Sequence, residues 1–127
     1  MSKHRNNLLI AASGTGGHIF PALAVSQKVD NYWNIHWLGV KHRLDSKFVP
    51  KKYNFLTLNI ETPQKNIFIL FQYLKILFST FNVIKILKDK QINLVFTTGG
   101  YISAPTILAA KLLKIPVIIH ESNLIPG

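Results

Sequence analysis

Short apolar runs alternate along this chain with longer segments whose apolar residues recur every three or four positions. The first run, Leu8-Leu9-Ile10-Ala11-Ala12, predicts a strand. From Ile19, the residues Ala22, Val25, Ser26 and Val29 follow helical spacing, with Pro21 tolerated in the first turn. Ile35 to Leu38 predicts a second strand stopped by Gly39, and Leu56, Leu58 and Ile60 alternate with Phe55, Thr57 and Asn59 as a third. Residues 66–90 predict a long helix, Ile92 to Thr97 a fourth strand, Pro105 to Leu113 a helix capped by Ser103, and Val117 to His120 a fifth strand. Strands alternating with helices predict an α/β fold: a mostly parallel, Rossmann-like sheet with helices on both faces. Ligands bind such sheets outside the carboxyl ends of the strands. The glycine and polar signals fall there, after strands one and four and at the end of strand five.

The long helix departs from a simple amphipathic pattern. Gln72, Lys75, Ser79 and Asn82 form a polar stripe, and Lys75 and Lys85 argue against a membrane span. Packing on the sheet accounts for one face. The apolar arc is wider than that face, so Phe68, Phe71, Phe78 and Phe81 do not all fit inside. A leftover patch of Phe71, Phe78 and Phe81 with Lys75 and Lys85, near Lys65, Lys88 and Lys90, suits an anionic membrane surface.

The 127 residues suffice for one small domain, and a 48% hydrophobic content argues against disorder. The absence of cysteine excludes a disulfide scaffold and a thiolate metal site. The apolar run after Asn7 is too short for a signal-peptide core. Fifteen Lys+Arg against 5 Asp+Glu give a net charge of +10, which favours anionic partners. No nucleic-acid recognition module is readable. The chain stops directly after strand five, where a doubly wound domain usually continues with a covering helix.

The densest chemical signal is Ser13-Gly14-Thr15-Gly16-Gly17-His18, between strand one and the first helix. A strand, a glycine turn and a helix start present backbone N–H groups to an anion, and a histidine there can move protons near neutral pH. The stretch is neither a dinucleotide fingerprint, because Ile19 stands where glycine is needed, nor a P-loop, because no Gly-Lys-Ser/Thr follows. Thr98-Gly99-Gly100-Tyr101 is a second glycine turn, whose tyrosine is suited to stacking on a sugar. His120-Glu121-Ser122-Asn123 ends the last strand with a carboxylate and an amide suited to a hydroxyl-rich ligand. Nothing around His36 or His42 suggests a site, no His/Asp/Glu spacing reads as a metal site, and no nucleophile elbow is present.

Together these segments resemble the bacterial MurG family of UDP-N-acetylglucosamine transferases, which convert lipid I to lipid II in peptidoglycan synthesis. The resemblance rests on residues 14–24, on Trp37-Leu38-Gly39, Arg43-Leu44 and Val49-Pro50, and on Gly99-Gly100-Tyr101-Ile102-Ser103 with Pro105. It continues through Ile115-Pro116-Val117 and His120-Glu121 with Asn123 and Pro126-Gly127. Ser13 replaces the family's first glycine, and residues 61–66 lack its basic, glycine-rich loop. The resemblance implies that residues 1–127 are the N-terminal, acceptor-binding and membrane-associating half of a GT-B glycosyltransferase, ending before the donor domain. It implies an inverting, metal-independent transfer without a cofactor, with lipid I as acceptor, at the cytoplasmic face of the inner membrane. His18 is then the candidate base and Glu121 the fallback, while Thr15, Gly16, Gly17, Gly99, Gly100, Tyr101 and Asn123 are substrate-binding. Three other readings remain: a non-catalytic acceptor half working with a separate donor domain, an inactive gene fragment, and transfer to another lipid such as diacylglycerol.

Overall fold

The computed structural model describes residues 5–12, 16–40, 45–58, 69–99 and 102–120. Its elements are β1 (Asn6–Ala11), α1 (Gly16–Val29), β2 (Trp33–Val40), α2 (Asp45–Phe48), β3 (Asn54–Leu58), α3 (Ile69–Asp89), β4 (Leu94–Thr97), α4 (Ser103–Leu112) and β5 (Val117–Ile119). The five strands form one sheet in the order β3-β2-β1-β4-β5, and every neighbouring pair is parallel. The order reverses at β1, because β2 and β3 extend to one side of it and β4 and β5 to the other.

The apolar run of β1 is buried on both faces, which is why it carries no polar alternation. Leu8 and Ile10 join Ile19, Ala22, Ile35, Trp37 and Phe96 in the core under α1. Leu9 and Ala11 join Leu38, Val83, Leu87, Val95 and Ala109 in the core under α3 and α4.

Two expectations change. Gly39 does not stop the second strand. It lies inside β2, paired with Thr57, because β2 is an inner strand bonded on both edges. Ser103 does not cap α4: it is the first helical residue, and Ile102 occupies the cap position without a side-chain hydrogen bond. The long helix lays part of its polar stripe on the sheet. Val83 and Leu87 fix the rotation of α3 on the sheet, and steps of three and four then carry Ser79 and Thr80 inward. The Thr80 hydroxyl is satisfied by the Ile76 carbonyl at 2.7 Å. Leu70, Phe71, Tyr73, Leu74, Leu77, Phe78 and Phe81 are left exposed. By length and hydropathy Leu70–Asp89 is capable of crossing a membrane, but its inner face is part of the core.

Candidate functional site

The site forms where the strand order reverses. α1 starts at Gly16, three residues earlier than periodicity predicts, so Gly16, Gly17 and His18 make its first turn. Helix geometry leaves their N–H groups without intrahelical acceptors, directed away from the helix start. His18 is half-buried and lies beside the segment that leaves β4. Its Nδ1 is 2.9 Å from the Thr98 carbonyl oxygen, and the Thr98 hydroxyl donates to the His18 carbonyl at 2.6 Å. Gly99 turns the chain with φ +94°, in the region that favours glycine.

The ends of the strands are tied together. The buried Thr97 hydroxyl donates to the Ala11 carbonyl at 2.8 Å and accepts from the Gly99 N–H at 3.3 Å. The His120 N–H donates to the Thr97 carbonyl at 2.8 Å, joining the end of β5 to the same point. Trp37, fully buried in β2, donates its indole N–H to the Ala12 carbonyl at 3.3 Å, where the chain leaves β1. One backbone junction therefore holds His18, Gly99 and His120 at the carboxyl edge of the sheet.

Of the sequence-identified site residues, the structure brings His18 and Gly99 into contact range. A Cβ at Gly99 would lie 3.6 Å from His18 Cε1. Gly16 and Gly17 stand in the adjoining helical turn. Thr15, Gly100, Tyr101, Glu121 and Asn123 lie outside the described residues. Phe71, Phe78, Phe81 and Lys85 are exposed on α3, with Lys75 half-buried on the same helix. Sequence reasoning missed Thr97, Thr98 and Trp37 as supports of the site. For the threonines the legible signal is a pair of hydroxyls closing an apolar strand just before a glycine turn, while Trp37 was legible as part of a motif and not as a support.

A cleft of about 270 Å³ opens at the opposite, amino end of the strands, lined by Arg5, Asp30, Trp33, Asn34, Lys52 and Tyr53 among others. Hydrogen bonds from Lys52 and Tyr53 hold the Asp30 carboxyl below its ordinary range. None of the sequence-identified site residues that are described lines this cleft. Among the described residues, no group of three or more His, Asp or Glu is placed to hold a metal ion.

Residues 8–127 match the family described as "Glycosyltransferase family 28 N-terminal domain". The chain belongs to this family. A relative from Prochlorococcus marinus (strain MIT 9515) is 86% identical over all 127 residues, and the chain covers 35% of that protein. A second, from the MED4 strain of the same species, is 84% identical over the same length. Both are named UDP-N-acetylglucosamine--N-acetylmuramyl-(pentapeptide) pyrophosphoryl-undecaprenol N-acetylglucosamine transferase. The family 28 domain thus spans about a third of the curated relatives it matches. The crystal structure of Acinetobacter baumannii MurG superposes with a TM-score of 0.82 at 32% identity, over 96% of this chain and 37% of that one. A glycosyltransferase of kitacinnamycin matches with a TM-score of 0.64 at 11% identity, a likeness of fold alone. The family 28 domain has the Rossmann-like, GT-B-type architecture expected from its sequence.

Proposed function

We propose that this chain is the acceptor-binding part of a transferase that moves N-acetylglucosamine from UDP-N-acetylglucosamine to lipid-linked N-acetylmuramyl-pentapeptide. The observation that carries this reading is the 86% identity, over the whole chain, to a relative named for that reaction. The position of His18 at the sheet's carboxyl edge supports it.

In this reading the acceptor hydroxyl attacks the anomeric carbon of the donor sugar. The bond from that carbon to the UDP oxygen breaks, UDP leaves with the electron pair, and configuration inverts. His18 takes the hydroxyl proton as general base. The N–H groups of Gly16 and Gly17, at the start of α1, favour an anion, which suits the acceptor's diphosphate. No metal or cofactor enters. In the same reading Gly99, Thr15, Gly100, Tyr101 and Asn123 are assigned to substrate binding, and Glu121 is the fallback base. The donor is held by a second domain of the kind the longer relatives have room for. The exposed face of α3 docks the protein peripherally on the cytoplasmic face of the inner membrane.

The test joins residues 1–127 to the remaining two-thirds of the 86%-identical relative and follows labelled sugar transfer to a soluble lipid I analogue. The hybrid is expected to turn over. His18→Ala in it is expected to lower kcat by about two to four orders of magnitude, the size of a general-base contribution. A hybrid that folds without transfer overturns the proposed reaction, and near-normal turnover of His18→Ala removes His18 as the base. The chain alone, mixed with a separately made donor domain, distinguishes an acceptor half that works in trans.

A further inference from the structure

His18 and Thr98 lie 80 residues apart, yet two hydrogen bonds join them. The bond from the imidazole has a chemical consequence. A carbonyl oxygen only accepts, so His18 Nδ1, 2.9 Å from the Thr98 carbonyl, must carry the proton. In a neutral imidazole the lone pair then sits on Nε2. This is the opposite of the tautomer that free histidine prefers. The Thr98 side chain is almost fully buried, and its hydroxyl donates to the His18 carbonyl at 2.6 Å, pinning the first turn of α1 to the end of β4. The Gly99 backbone covers the ring edge: a Cβ there would lie 3.6 Å from Cε1 and 3.7 Å from Nδ1. Thr97 anchors the same segment to β1 through Ala11.

We propose that Thr98, with the Gly99 turn, is a positioning residue for His18, fixing its imidazole as the Nδ1–H tautomer and leaving Nε2 as the basic nitrogen. The lock itself stands on the hydrogen bonds; its catalytic meaning rests on the reading of His18 as the base. Thr98 acts at one remove. Its carbonyl sets the tautomer, and its hydroxyl keeps the helix turn bearing His18 in register with that carbonyl. The proton that arrives at Nε2 during transfer converts the ring to imidazolium, whose charge the same carbonyl continues to stabilise through Nδ1–H.

The test is nitrogen NMR of the 127-residue chain with labelled histidine, at about pH 8.5, where ordinary imidazoles are neutral. The His18 signals are assigned by their loss in His18→Gln. The expected result is an unprotonated Nε2 and a protonated Nδ1. A protonated Nε2, or fast averaging between the two forms, overturns the proposal, and this measurement needs no variant of Thr98. Thr98→Val is expected to give a mixture of tautomers, and Thr98→Ser to restore the single form. An unchanged spectrum in a folded Thr98→Val removes the hydroxyl from the device. In the hybrid transferase Thr98→Val is expected to lower kcat roughly tenfold with KM little changed, as loss of one ordinary hydrogen bond in positioning implies, and Thr98→Ser to recover it. Normal turnover of His18→Ala together with a locked tautomer would refute the catalytic reading and leave the lock standing.

Discussion

His36 sits in a row of amides that crosses three strands. The Asn7 side-chain amide donates to the Gln91 carbonyl at 3.1 Å, which turns its oxygen toward His36 Nε2 at 3.3 Å and Asn34 Nδ2 at 3.2 Å. Asn54 Nδ2 lies 3.0 Å from His36 Nδ1. The ring therefore donates from Nε2 and accepts at Nδ1, and a second proton would face a donor. Burial first, and the nearby Lys90 second, hold His36 below its ordinary value of 6.5. The unfolded chain then binds the proton more readily than the folded one. This stability contribution is fully present above about pH 6.5 and is lost as pH falls through the lower folded value. Denaturant titrations between about pH 7.5 and 5 are expected to show wild-type stability falling faster than that of His36→Gln. The difference is a fraction of the roughly 1.4 kcal/mol per pH unit that one whole proton allows, because the part-exposed ring is screened. Parallel curves would sink this account. The sequence offers no sign of the row, because Asn7, Asn34, His36 and Asn54 meet only once the parallel register is set. His18 was legible for the opposite reason: its glycine turn is a local signal.

Elements were easier to read than their ends. The helices α3 and α4 both close on residues that no turn signal marks, Gln91 with φ 54° and Lys114 with φ 60°. In each case the next residue bonds back to the last turn, Ile92 N–H to the Leu87 carbonyl at 3.0 Å and Ile115 N–H to the Ala110 carbonyl at 2.8 Å. This is the Schellman arrangement, with an apolar residue following the left-handed one. Glycine is the usual occupant because a Cβ costs about 1–2 kcal/mol there. Gln91→Gly and Lys114→Gly are each expected to stabilise the chain by roughly 0.5–1 kcal/mol, after the added unfolded-state entropy of glycine is subtracted. Thermal or denaturant unfolding checks this, and a loss of stability in either variant would contradict the strain. The periodicity placed both ends within one residue, at Lys90 and Leu113, but without a glycine it gave no sign of the left-handed caps. The inward rotation of Ser79 and Thr80 was hidden differently, since periodicity gives a stripe but not which stripe the sheet takes.

At the scale of the molecule, one helix face and the overall charge have to be considered together. Leu70, Phe71, Tyr73, Leu74, Leu77, Phe78 and Phe81 form an exposed apolar surface on α3, with Phe78 66% exposed. Such a surface is costly in water unless something covers it. In the proposed docking reading the cover is an anionic membrane, which suits a chain of charge +10. The two contributions separate by salt, because screening shortens from about 10 Å at 0.1 M to about 3 Å at 1 M while apolar insertion persists. Sedimentation with vesicles rich in anionic lipid is therefore expected to weaken across that range without vanishing, and to be weak with zwitterionic vesicles at any salt. The double variant Phe78→Ser, Phe81→Ser is expected to lose the salt-resistant part. Both positions face solvent, so its unfolding midpoint stays close to wild type. Equal binding to zwitterionic vesicles would remove the charge from the picture, and undiminished binding of the double variant would remove the helix. A marked drop in its stability would instead place these rings against protein.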